Sequence, residues 1–138
     1  MTHKRCTVIA ALSLLFLAAP LAAHHSFAAE YDITKPVKLH GAITKVDFVN
    51  PHAWVYVDVK DADGHVTNWH IELGSPNALF RLGWKKDAVP VGLEVDIVGY
   101  RSKLGEAVAN GASFILPDGH VLSTGGSAPA NSKPEAKN

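Results

Sequence analysis

Two adjacent histidines, His24 and His25, stand directly after a segment with the features of a cleavable secretory leader. Lys4 and Arg5 form its positive start, Val8 to Ala18 its apolar stretch, and Leu21-Ala22-Ala23 its cleavage site. Cutting after Ala23 would expose an α-amino group on His24, next to two imidazoles. A neutral amine (pKa about 7.7–8.0) and imidazoles (about 6.5) are good nitrogen donors for Cu(II) or Zn(II) near neutral pH. Cleavage after Ala28 or Ala29 would instead remove both histidines. Seven of the eight histidines lie beyond residue 23. His40, His65 and His120 fall at turns or exposed strand positions, which leaves His52 and His70 as further candidates.

The elements that must position these side chains are strands. The first is expected at Val37–Val49, with Gly41 as a bend, and Asn50-Pro51 interrupts it. Ala53–Lys60 alternates, with Val55, Val57 and Val59 on one face and Trp54, Tyr56 and Asp58 on the other. Asp61-Ala62-Asp63-Gly64 is a hairpin signal leading to Val66–Leu73, where Trp69, Ile71 and Leu73 oppose Asn68, His70 and Glu72. Ser75 as cap, Pro76 at the first helical position and Gly83 at the stop predict a helix of about two turns, with Leu79 and Leu82 as a plug. Strands at Leu93–Arg101 and Ala107–Leu116 follow, then a short extension at His120–Leu122.

Strand, strand, strand, short helix, strand, strand is the element order of an OB-fold. The expected fold is therefore all-β, a small five-stranded OB-like Greek-key barrel with one short helix between strands 3 and 4. The chain divides into a signal peptide (1–23), an N-terminal lead-in (24–36), the barrel domain (37–123) and a disordered tail (124–138).

The inward residues of strands 2 and 3 are all odd-numbered, so paired positions must sum to an even number. A turn of Ala62-Asp63-Gly64 satisfies this and sets Tyr56 opposite His70, Trp54 opposite Glu72 and Asp58 opposite Asn68. The outer face of the hairpin then carries His52, Trp54, Tyr56, His70 and Glu72, on the side that OB-folds use for ligands. The alternative is that the lead-in or the tail folds over Trp54 and Tyr56, which then form a satellite core. Along one strand, four positions span about 13 Å, so His52 and His70 cannot share a metal. Glu72 lies diagonal to His52, roughly 7–8 Å away between backbones. The metal set is therefore His24, His25 and His52, with Glu72 as a further candidate.

Composition narrows the partners. Loss of the leader leaves 115 of the 138 residues and removes Lys4 and Arg5 from a balanced 13 basic and 13 acidic residues, for a net charge of −2. That offers no electrostatic footprint for nucleic acid. The single cysteine, Cys6, lies in the leader, so the mature chain has no disulfide, thiolate site or cysteine nucleophile. The leader's apolar run is shorter than the roughly 20 residues that span a bilayer, so no transmembrane anchor remains after cleavage. The expected location is periplasmic or secreted. Ser26, Ser75, Ser102 and Ser113 lack a nucleophile-elbow context, and no acid pair forms an acid–base couple.

His24-His25-Ser26-Phe27, Asn50-Pro51-His52-Ala53-Trp54 and Gly74-Ser75-Pro76-Asn77-Ala78-Leu79, with Arg81 and Gly83-Trp84, resemble a family of small secreted bacterial proteins of unknown function. The resemblance covers nearly all of residues 24–122. It draws His24, His25, Asn50, His52, Trp54, Asn77, Arg81 and Trp84 into one group without assigning them chemistry. With the hairpin face, the ligand-binding candidates are Asn50, His52, Trp54, Tyr56, His70, Glu72, Asn77, Arg81 and Trp84. Two functions are consistent with these residues. One is a non-catalytic exported binding module that takes a small ligand, a metal ion or a periplasmic protein on the outer face of strands 2 and 3. The other is a copper-binding or copper-dependent protein built on His24, His25 and His52.

Overall fold

Alternation decides the phase of the central hairpin. In the computed structural model, which describes residues 26–128, β2 (Trp54–Lys60) buries Val55 and Val57 completely and leaves Trp54, Tyr56 and Asp58 half-buried on its other face. β3 (Val66–Glu72) buries Trp69 and Ile71 on the same inner side. The two strands pair antiparallel with Trp54 opposite Glu72, Tyr56 opposite His70 and Asp58 opposite Asn68, the register that parity requires. The turn is closed by the Asp61 amide on the His65 carbonyl at 2.9 Å. Asp61 Oδ1 accepts from the Asp63 and His65 amides, and Gly64 takes the left-handed position at φ +89°.

β1 (Tyr31–Asp47) is the longest strand and serves two neighbours. Its later half pairs with β2 and its earlier half with β4 (Glu94–Ser102), with overlap at Gly41 and Ala42. A Cβ at Gly41 would overlap the Asp58 carbonyl, so the close crossing needs glycine there. β1 begins six residues before the expected Val37. Tyr31 pairs with Ser102, and the register slips between Tyr31 and Pro36. Ahead of it, α1 (Ser26–Glu30) packs Phe27 against Tyr31 and Tyr100 as a second apolar cluster.

β5 (Val108–Ile115) pairs antiparallel with β4 and parallel with β3, and β6 (Val121–Ser123) adds to β5. The fold of the described residues is mostly β, with six strands and two short helices among them. Every strand from β1 to β5 has a neighbour on each side. Ile43, Val55, Val57, Ile71, Val95, Ile97 and Phe114 fill the interior, each contributing about 1.5–3 kcal/mol through removal from water.

α2 (Pro76–Arg81) starts as the capping residues predict: Ser75 Oγ accepts from the Ala78 amide, and Pro76 occupies the first turn. Leu79 is fully buried, but Leu82 is 46% exposed, so the plug is Leu79 alone. Leu82 is the cap residue at φ −87°, ψ 6°, where the chain leaves the helix and its side chain turns outward. Trp84 re-enters the core, its indole donating to the Ser123 carbonyl at 2.7 Å. Thr124, the expected start of a loose tail, is completely buried. Its hydroxyl donates to the Gly111 carbonyl and its own carbonyl accepts from the Gly74 amide. No helix among the described residues is long and apolar enough to cross a membrane.

Candidate ligand pocket

Directly paired residues project from the same side of a sheet, so Trp54, Glu72, Asn110 and Tyr100 form a row on the outer face across β2, β3, β5 and β4. An outward carboxylate on such a row ordinarily faces water. Glu72 is only 4% exposed, because the start of β1 and the loop before β2 close over it.

Both carboxylate oxygens of Glu72 are occupied: Oε2 accepts from the Tyr31 hydroxyl, and Oε1 pairs with His52 Nδ1. A carboxylate can only accept, so Nδ1 is the donor in this pair and Nε2 is the ring nitrogen turned away from Glu72. The His52 side chain is 46% exposed, while that of Glu72 is nearly hidden. The arrangement therefore runs from a buried phenol, through a buried carboxylate, to an accessible imidazole. A buried charge is tolerated where it is paired and hydrogen-bonded, and here both conditions hold. Burial pushes the Tyr31 hydroxyl well above the ordinary phenol range, helped by its hydrogen bond to Glu72 and by the Glu72 and Glu30 charges. Tyr31 is thus a fixed donor at physiological pH.

These groups border a pocket of about 240 Å³. His52, Trp54 and Glu72 form its strand side, and Phe27, Glu30 and Tyr31 face them from α1 and the start of β1. Ser127 completes the rim from beyond β6. Among the described residues, none that lines the pocket is Lys or Arg, and Glu30 and Glu72 give this lining an acidic character. Nearby, the Tyr100 hydroxyl and Asn110 Oδ1 are buried without a hydrogen-bond partner among the described residues.

Of the sequence candidates, the structure brings His52, Trp54 and Glu72 together. Tyr56 and His70 lie one row along, in an edge-to-face pair with centroids 4.7 Å apart and Lys45 Nζ 5.1 Å from the Tyr56 ring. They share the face but not the pocket. Asn50 is exposed, at a cis peptide bond to Pro51, and does not line it. Asn77 and Arg81 are exposed on α2, and Trp84 belongs to the core, so these three join neither group. His24 and His25 lie outside the described residues. Among the described residues, no three His, Cys, Asp or Glu side chains are grouped to hold a metal. His40 pairs with Asp96 at 2.8 Å on another face.

Phe27, Glu30, Tyr31 and Ser127 were not among the sequence candidates. Phe27 stands inside the His24-His25-Ser26-Phe27 motif, which was the one signal available. No curated protein and no solved structure matches the chain. The sequence model of a family of unknown function, DUF6152, matches residues 11–111, and the chain belongs to that family.

Proposed function

We propose that the protein is an exported, non-catalytic binding module of the periplasm or extracellular space, and that its ligand enters the pocket between α1 and the outer face of β2 and β3. The scaffold in this reading is an OB-like five-stranded barrel. Support comes from the element order and from pairings that run β1, β2, β3, β5, β4 and back to β1. OB-folds use the face of their second and third strands for ligands. The observation that carries the reading is Glu72, a carboxylate buried on that outer face and bonded at both oxygens so as to hold an accessible His52. Export is supported by the leader-like residues 1–23. Processing ahead of α1 is supported by Phe27, which is buried against Tyr31 and Tyr100, and by Lys103, whose amide donates to the Glu30 carbonyl at 2.8 Å.

The test is a set of small organic acids, amines and sugars added to the labelled, exported protein, read by amide NMR. Shifts gathered at Phe27, Glu30, His52, Trp54 and Ser127 support the pocket. Shifts gathered instead on α2 or around His40 overturn it, as does a spectrum that no member of the set changes.

A further inference from the structure

We infer that the pocket takes a small alkylated ammonium compound, its cationic group seated among Phe27, Tyr31 and Trp54 and drawn there by the carboxylates of Glu30 and Glu72. This rests on the pocket reading and names the ligand class for it.

Charge selects a cation. With His52 neutral, the described lining carries the two negative charges of Glu30 and Glu72, and with His52 protonated it is still negative by one. Tyr31 adds none, because its hydroxyl keeps its proton at physiological pH. Lys103, a basic residue held against α1, gives its ammonium to the Ala28 carbonyl and lines a separate cavity with Asp32 and Ile33. Glu72 is only 4% exposed, and a carboxylate withdrawn from water acts through a lower dielectric than one on an open surface. Its pull on a cation in the pocket is correspondingly stronger.

Aromatic surface selects the kind of cation. Trp54 stands on the strand side of the cavity, and Phe27 and Tyr31 face it with their ring centroids 5.5 Å apart. Among the described residues, no three His, Cys, Asp or Glu side chains are grouped to hold a metal ion, so a bare ion would surrender its water for too few ligands. An alkylated ammonium spreads its charge over its carbon substituents, and aromatic faces attract such a cation through the ring quadrupole. A primary ammonium must also satisfy three N–H donors, whereas both Glu72 oxygens are already bonded, to Tyr31 and His52. An ammonium without N–H groups makes no such demand. At about 240 Å³ the cavity lies below the roughly 300–1,000 Å³ of drug-sized ligand sites, so the compound is small.

The experiment titrates the labelled, exported protein with choline, with the uncharged isostere of choline in which carbon replaces nitrogen, and with ethanolamine, each followed by amide NMR. Choline should saturate shifts at Phe27, Glu30 and Trp54, and the isostere and ethanolamine should each bind about tenfold or more weakly. Trp54→Leu should weaken choline about 5–30-fold. Glu30→Gln, at an exposed position that leaves the fold intact, should weaken it about 2–5-fold, an effect that disappears in about 1 M salt. An isostere that binds as tightly as choline overturns the inference, because charge would then play no part. Ethanolamine binding as tightly as choline overturns it too, as does choline affinity unchanged in both Trp54→Leu and Glu30→Gln. Acids or sugars that shift the pocket amides while choline does not reject the ammonium ligand and leave the pocket reading standing; silence from every probe rejects both.

Discussion

Replacing Tyr31 with phenylalanine isolates one hydroxyl at the base of the pocket. The ring keeps its contacts with Phe27, at 5.5 Å between centroids, and its place in the buried cluster with Tyr100. What disappears is the hydrogen bond to Glu72 Oε2, leaving a buried carboxylate oxygen without that donor. Hydrogen bonds to charged groups contribute about 1.5–3 kcal/mol, and Tyr31→Phe should lose that much unfolding free energy at neutral pH. A second signature lies at alkaline pH. The Tyr31 hydroxyl titrates in the folded protein well above its ordinary value of 10.0, so the folded state keeps a proton that the unfolded chain releases. A group whose folded value is raised contributes stability that is complete below the unfolded value and is lost as pH rises beyond it. For one such proton the loss reaches about 1.4 kcal/mol by about pH 11. Tyr56 and Tyr100 are common to both proteins and cancel in the difference. Urea unfolding at several pH values between about 8 and 11 should therefore show the wild-type advantage shrinking as pH rises. Parallel curves for the two proteins would refute the buried Tyr31–Glu72 bond, as would a Tyr31→Phe protein as stable as wild type at neutral pH.

Further outcomes concern the frame around the site. Leu79→Ala should cost about 2–5 kcal/mol in chemical denaturation, whereas Leu82→Ala should cost well under half of that, because only Leu79 is enclosed. Gly41→Ala should destabilise by about 1–3 kcal/mol by forcing a Cβ onto the Asp58 carbonyl, measured by thermal or urea unfolding. Tyr56→Ala and His70→Ala should leave the probe-induced shifts of the pocket amides in place, since neither residue lines the pocket.

Much of the central hairpin is legible in the sequence. Alternating valines set which side of β2 faces inward, odd numbering in both strands set the parity of their register, and Asp61 with Gly64 set the turn. Ser75, Pro76 and Gly83 bounded α2 in the same way. These are local signals, written in neighbouring residues, and period-two alternation leaves few registers that bury the apolar face. His52 beside Glu72 also followed from the diagonal spacing between strands.

The ends of the domain were not legible. Asp32, Thr34, Lys35 and Pro36 make residues 24–36 read as a polar lead-in, yet Phe27 and Tyr31 find an apolar neighbour in Tyr100, far along the chain. The tail misled in the same manner, because Thr124 satisfies its hydroxyl on Gly111 and Ser127 reaches the pocket rim. Sequence alone determined the strand phase, the hairpin register and the helix stop, since each depends on steric and periodic rules acting over a few residues. Only the tertiary structure decided that Glu72 is buried and that His52 is oriented. A carboxylate leaves water when donors arrive to replace it, and here one donor comes from the first residue of β1 and the other from the loop before β2.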